Sequence, residues 1–318
     1  MITGIDCSKD SLDVAIIEGD KPKFLDKYLN SIKGFEKLYR SIKSSELIVM
    51  EATGPYYLPV ASFLKKKGLP VSVVNPLVIK RFCQMSLSRA KTDKKDAILI
   101  ARYGQSQKPA LWEAPSDELL HVQQLETYLE GLKKRKTMVS NQLHAFEHTG
   151  KLGNTLKKQL DKELEEYEEK ISQTEKEIKE QLGQEQGDML NNLISIPGIG
   201  ERSACLLTIT TNGFKDFECY KQLISYYGLA PRIFESGSSV RGKAHICKMG
   251  MSQVRKTLYM AAKSALRYNK TCKSLYERLR AKGKAYKVAL IAVVNKLIKQ
   301  AFAIAKSGIP YRSDFAEA

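Results

Sequence analysis

Several absences narrow the possibilities for this 318-residue chain. It holds six cysteines, and no two of them form a C-x-x-C pair. Cys7, Cys83, Cys205, Cys219, Cys247 and Cys272 are scattered. That spacing argues against a zinc ribbon or a disulfide framework and reads as reduced thiols of a cytoplasmic protein. The start, Met1 to Asp6, turns acidic too soon for a signal peptide. No run of about 18 apolar residues stands out, so no membrane span is expected. Proline is missing from residues 116–196, between Pro115 and Pro197. Acidic residues are scarce at the far end, where residues 231–318 carry 19 Lys+Arg against 4 Asp+Glu. This segment alone supplies +15 of the formal net charge of +17. A solvated surface mixes its signs. An excess so placed is the electrostatic footprint of a nucleic-acid binder.

Hydrophobic patterning divides the chain into three expected domains, 1–115, 116–190 and 191–318. In the first, Ile2 to Asp6, Leu12 to Ile17 and Phe24 to Leu29 read as an antiparallel meander of strands. Ile32, Phe35, Leu38, Tyr39 and Ile42 have helical spacing. A strand from Glu46 to Glu51, a helix near 57–67, a strand from Val71 to Val74 and a helix after Asn75-Pro76 follow. The order β-β-β-α-β-α-β-α predicts an α/β domain of ribonuclease-H-like (RuvC-like) fold.

In the second stretch Val122, Leu125, Leu129, Leu132, Lys136, Val139, Leu143 and Phe146 keep heptad spacing, broken only by Lys136. After a Gly-containing turn the series resumes at Leu160, Leu164, Tyr167, Ile171, Thr174 and Ile178. The pattern predicts an antiparallel coiled-coil hairpin able to serve self-association. The third stretch, expected to be mainly α-helical, opens on Ile196-Pro197-Gly198-Ile199-Gly200, a helix-hairpin-helix pattern. Its Gly198 and Gly200 would let backbone amides approach a phosphate. A Gly/Ser-rich basic loop with Arg232, Arg241, Lys243 and Lys248 comes next. Helical runs over about 252–280 and 286–307 follow, the first carrying Arg255 and Lys256.

The chemistry concentrates at Lys91-Thr92-Asp93-Lys94-Lys95-Asp96-Ala97. Asp93 and Asp96, three apart, share one face of a helix. Taken alone they read first as a capped helix start, with acids favoured by the dipole. In a ribonuclease-H-like order, however, the ends of the first and fourth strands meet the last helix. Asp6 and Glu51 stand at those strand ends, so four carboxylates are expected to converge. Hard oxygen ligands of that number suit Mg2+ or Mn2+ and phosphoryl transfer. Arg89, Lys91, Lys94 and Lys95 would lie beside bound phosphates. Asp10 is expected to cap a turn and Asp13 to face solvent. In the basic loop, Ser236, Ser238 and Ser239 are candidate hydroxyl nucleophiles with arginines nearby, although His245 is the closest histidine. A flexible phosphate-contacting loop accounts for the same residues.

Gly4-Ile5-Asp6, Glu51-Ala52-Thr53-Gly54, Asn75-Pro76, Lys91-Thr92-Asp93-x-x-Asp96-Ala97, Ile196-Pro197-Gly198-Ile199-Gly200, Gly228-Leu229-Ala230-Pro231-Arg232 and Glu235-Ser236-Gly237 recur together in one family. By these motifs the chain resembles the DEDD-type insertion-sequence transposases, related to the Piv DNA invertases. The resemblance covers nearly the whole chain, in order. It implies a RuvC-like domain, a coiled coil and a C-terminal transposase domain with a catalytic serine. It also implies a metal-binding quartet of Asp6, Glu51, Asp93 and Asp96, and Ser236 as the residue that forms a transient phosphoserine link to DNA. The implied partners are donor and target DNA, a noncoding bridge RNA that pairs with both, and further copies of the chain, as a dimer assembling to a tetramer. Three other readings compete: a junction-resolving nuclease without a covalent step, a nucleic-acid-binding protein with a dead catalytic domain, and an actin-like kinase suggested by Gly4 to Ser8.

Overall fold

The structure is a computed structural model describing residues 1–19, 21–85, 92–232, 235–236, 240–241 and 245–313, with residues 235–236 and 240–241 given by backbone alone. The described residues form two compact units, Met1–Ala114 and Pro115–Ala318.

In the first unit the chain runs β1 (Ile2–Cys7), β2 (Ser11–Glu18), β3 (Lys21–Leu29), α1 (Ile32–Ile42), β4 (Leu47–Glu51), α2 (Leu58–Lys66), β5 (Val71–Val74), α3 (Pro76–Met85) and α4 (Asp93–Gln107). The sheet order is β3-β2-β1-β4-β5. The β1–β2 and β2–β3 pairs are antiparallel, and β4 lies parallel to both β1 and β5. The chain order of strands and helices and the antiparallel meander of β1, β2 and β3 agree with the reading of the sequence. Alternation places Ile5, Cys7, Leu12 and Val14 on one face, packed with Phe35, Leu38 and Ile42 of α1 and Val60 and Leu64 of α2. Val49 and Val74 face the other way, against Ile79 of α3 and Ile100 of α4. Burying such a side chain contributes about 1.5–3 kcal/mol.

The second unit holds α5 (Asp117–Glu147), α6 (Asn154–Ile194), α7 (Glu201–Thr210), α8 (Tyr220–Tyr226), the two-residue strands β6 (Pro231–Arg232), β7 (Glu235–Ser236), β8 (Val240–Arg241) and β9 (His245–Ile246), then α9 (Ser252–Tyr268), α10 (Lys270–Ala281) and α11 (Tyr286–Ser307). Ser116 caps α5 by accepting a hydrogen bond from the Leu119 amide at 3.1 Å. Val122, Leu129, Leu132 and Val139 of α5 are buried, as are Leu160, Ile178 and Leu182 of α6. The seam lysine Lys136 pairs with Glu168 of α6 at 2.7 Å. Val122, Leu129, Ile178 and Leu182 belong to the same core as α7, α9 and α11.

Two expectations change here. The helical run over 252–280 is two helices, broken at Asn269. Its side chain accepts from the Cys272 amide at 3.2 Å and so starts α10 anew. The expected lack of a membrane-length apolar segment also needs amending. By length and composition α11 is apolar enough to cross a bilayer, and Lys296 and Lys299 hide this from a search for an unbroken run. It is a core helix of this unit, with Ala289, Leu290, Val293, Val294, Leu297, Ile298 and Ala301 all 0% exposed.

Candidate active site

Gly4 sets the geometry of the acidic site. A Cβ at Gly4 would stand 2.3 Å from the Ala101 nitrogen and 2.4 Å from the Ala97 carbonyl oxygen, so only glycine lets α4 lie this close to β1. Gly104 does the same over Val49 of β4, where a Cβ would meet Cγ2 at 2.6 Å. The helix is thereby pinned across β1 and β4. Side chains two apart on a strand share a face, so Asp6 follows Gly4, and Glu51 follows Val49, onto the side covered by α4. One turn before Ala97, Asp93 and Asp96 open the helix, with Thr92 as the cap accepting from the Lys95 amide at 3.3 Å.

Register extends this row across the sheet. Gly4 pairs with Val49, which sets Asp6 beside Glu51 at the strand ends. Asp6 stands directly opposite Asp13 of β2, and Asp13 opposite Lys27 of β3. Contrary to expectation, Asp13 is not solvent-facing. It is only 4% exposed and pairs with the Lys27 ammonium at 3.0 Å. Lys27 also stands 4.0 Å from the Asp93 carboxylate. Thr53 donates to Glu51 Oε1 at 3.0 Å. Lys94 sits over the Phe24 ring, 4.9 Å from its centroid.

The electrostatics follow from this crowding. Partial burial, then the carboxylates of Asp96, Glu51, Asp93 and Asp13, push the Asp6 carboxyl up to about 6. A group of hard oxygen donors that repel one another is chemically suited to a divalent cation. Among the described residues, however, no three His, Cys, Asp or Glu side chains are arranged to hold a metal ion. The predicted quartet is thus brought to one face and into electrostatic contact, without closing to coordination geometry.

A family model described as "Transposase", of the DEDD IS110 type, matches residues 3–146, and one described as "Transposase IS116/IS110/IS902 family" matches residues 190–277. The chain carries IS110-family transposase domains. The first spans every acidic residue named above, and it makes the chain a DNA transposase or recombinase by class. Two similar proteins, the pilin gene-inverting proteins of Moraxella bovis and Moraxella lacunata, are each 29% identical over 97% of this chain and 96% of their own length. An insertion element IS110 uncharacterized protein of Streptomyces coelicolor is 32% identical over 38% of this chain and 30% of its own.

In the second transposase domain Ser236 lies on β7, opposite Val240 of β8, and Glu235 lies opposite Arg241. Arg232 of β6 is opposite His245 of β9. Arg89, Lys91, Ser238, Ser239 and Lys243 fall outside the described residues, as do the side chains of Ser236 and Arg241. Gly198 has φ +106°, and a Cβ there would meet Ala265 of α9 at 2.5 Å, so the close approach it permits is to a helix. Gly200, exposed at the start of α7, is the more open of the two. Arg255 donates to the Tyr227 carbonyl at 2.9 Å and acts as a brace, while Lys94, Lys95, Arg232, Lys248 and Lys256 are exposed.

Proposed function

We propose that this chain cleaves and rejoins DNA strands to move or invert a mobile element. The observation that carries the reading is the row Glu51–Asp6–Asp13 on the face of the sheet covered by α4, joined by Asp93 and Asp96, inside a domain matched by a transposase family. On this reading the first unit has the ribonuclease-H-like fold, and Asp6, Glu51, Asp93 and Asp96 hold Mg2+ or Mn2+. Such a cation, when bound, acts as a Lewis acid on a phosphodiester. The chain's own residues prepare for it. Gly4 and Gly104 fix the helix that bears two of the ligands. Lys27 neutralises Asp13 and stands beside Asp93. Lys94 and Lys95 meet the strand's phosphates.

Ser236 serves as the nucleophile. Its Oγ bonds to phosphorus as the strand's P–O bond breaks, the serine proton passes to solvent or base, and the released strand end leaves as a hydroxyl. Attack by another strand's hydroxyl reverses the step and frees the serine. A bridge RNA selects donor and target by base pairing, which suits a chain whose cations favour backbone contact over base reading. The assembly is a homo-oligomer, a dimer forming a tetramer, in the cytoplasm beside the nucleoid. Exposed Tyr128, Met138 and Leu156 on the α5–α6 hairpin are its candidate contacts.

Incubating wild type with element-end DNA, guide RNA and Mg2+ tests this. Strand exchange should be lost in Asp93→Asn and in Ser236→Ala, with a protein–DNA adduct trapped only when Ser236 is present. Full cleavage by Ser236→Ala would instead indicate a hydrolytic, junction-resolving nuclease. No cleavage under any condition would favour a binding protein.

A further inference from the structure

The C-terminal unit contains a hollow of about 400 Å³ that strand cleavage leaves unused. Its walls include Ile304, Ile309 and Pro310, and Lys296 and Arg312 supply positive charge. Among the described residues no carboxylate lines it. Lys296 is partly buried on α11, near enough to the buried Cys272 thiol to act on it electrostatically. A cation drawn partly out of water without a counter-charge favours an anionic ligand.

The floor is preorganised. Gln300 Nε2 donates to Thr271 Oγ1 at 2.9 Å, Thr271 Oγ1 donates to Asn269 Oδ1 at 2.9 Å, and Asn269 Nδ2 donates to Gln300 Oε1 at 3.2 Å. Asn269 is 1% exposed, so this ring is fixed from below. It leaves Gln300 one amide hydrogen, while the Thr271 hydroxyl is shared among Gln300, Asn269 and Cys272. The remaining wall is the segment after α11, tied to the end of α6. There Asn192 donates to the Gly308 carbonyl at 2.9 Å and the Tyr311 amide donates to Ser195 Oγ at 2.8 Å. Tyr311 brings an aromatic ring to the hollow.

A ring to stack on, an amide donor at the floor and two cations together match the parts of a nucleotide. The volume is also of ligand-site size. We propose that this hollow takes one unstacked nucleotide of a single-stranded nucleic acid. The base lies between Tyr311 and the apolar wall with its edge at the Gln300 amide, and its phosphate lies against Lys296 and Arg312. A strand is favoured over a free nucleotide by the +15 carried by residues 231–318, which neighbouring phosphates would engage. The proposal does not depend on the acidic site.

The test uses the full chain and a labelled single-stranded oligonucleotide of about six residues containing one 5-iodouracil. Ultraviolet crosslinking is expected to map to Tyr311. Tyr311→Ala should weaken binding about tenfold at unchanged salt dependence, because it removes stacking. Lys296→Met and the more exposed Arg312→Met should each weaken binding and lower the log–log salt slope by about 0.7. Unchanged affinity and slope in all three variants, with wild-type circular dichroism, would overturn the proposal. So would crosslinks confined to other segments, or adenosine monophosphate binding as tightly as the oligonucleotide.

Discussion

At Asp6 the folded chain holds a carboxyl at about 6, against an ordinary value of 3.8. The folded state therefore keeps this proton more tightly than the unfolded state does. Stability from the group is present below about pH 4 and is lost as pH rises through about 6. In chelator-treated protein, denaturant titrations should show unfolding free energy falling across that window, and Asp6→Asn should flatten the fall. An equal fall in both proteins would assign it to other groups. Lys27 makes the second residue-scale case. Removing its ammonium in Lys27→Met leaves Asp13 buried without a partner and adds to the repulsion at Asp93. The variant should melt at a lower temperature than wild type, and Mn2+ should raise its melting temperature by more than it raises that of wild type. An equal rise would reduce Lys27 to a structural ion pair. The quartet positions were legible because acids at strand ends and at a helix start can be placed by element order alone. Asp13 was not, because its burial depends on a register with β3 that no local pattern encodes.

Elements were read more reliably than their joints. Period-2 and heptad runs located β1, β2, β5 and the α5–α6 hairpin, whereas the break at Asn269 rests on a single side-chain cap. Glu126 was also missed. It sits one residue past the seam position Leu125, yet it is only 6% exposed and binds Arg202 of α7 and Gln253 of α9. A heptad reading assigns such a position to solvent. Glu126→Ala should destabilise this unit by roughly 2 kcal/mol, since it takes the charge-assisted hydrogen bonds from a partly buried guanidinium and leaves it only Glu130 at 3.7 Å. Adding Arg202→Met should recover much of the loss, and a double-mutant cycle showing no coupling would refute the pairing. In the other unit, Gly4→Ala forces a methyl into the α4 backbone and should cost about 2 kcal/mol or more. It should reduce strand exchange as well, which calorimetry and the exchange assay would follow together.

For the whole molecule, the carboxylates lie in the first unit and Ser236 in the second. If subunits share sites, mixing Asp93→Asn with Ser236→Ala protein should restore strand exchange that neither shows alone. Persistent inactivity of the mixture would confine each site to one chain. The family resemblance made this division visible in the sequence; composition showed only that the cations gather at the far end. The most direct check of the central claim is a Mn2+ titration of the full chain, followed by electron paramagnetic resonance, for wild type, Asp6→Asn and Asp93→Asn. The expected result is saturable binding by wild type that strengthens as pH rises through about 6 and is lost in both variants. Equal binding by all three proteins, or none by wild type, would contradict the assignment of this acidic face as the metal site.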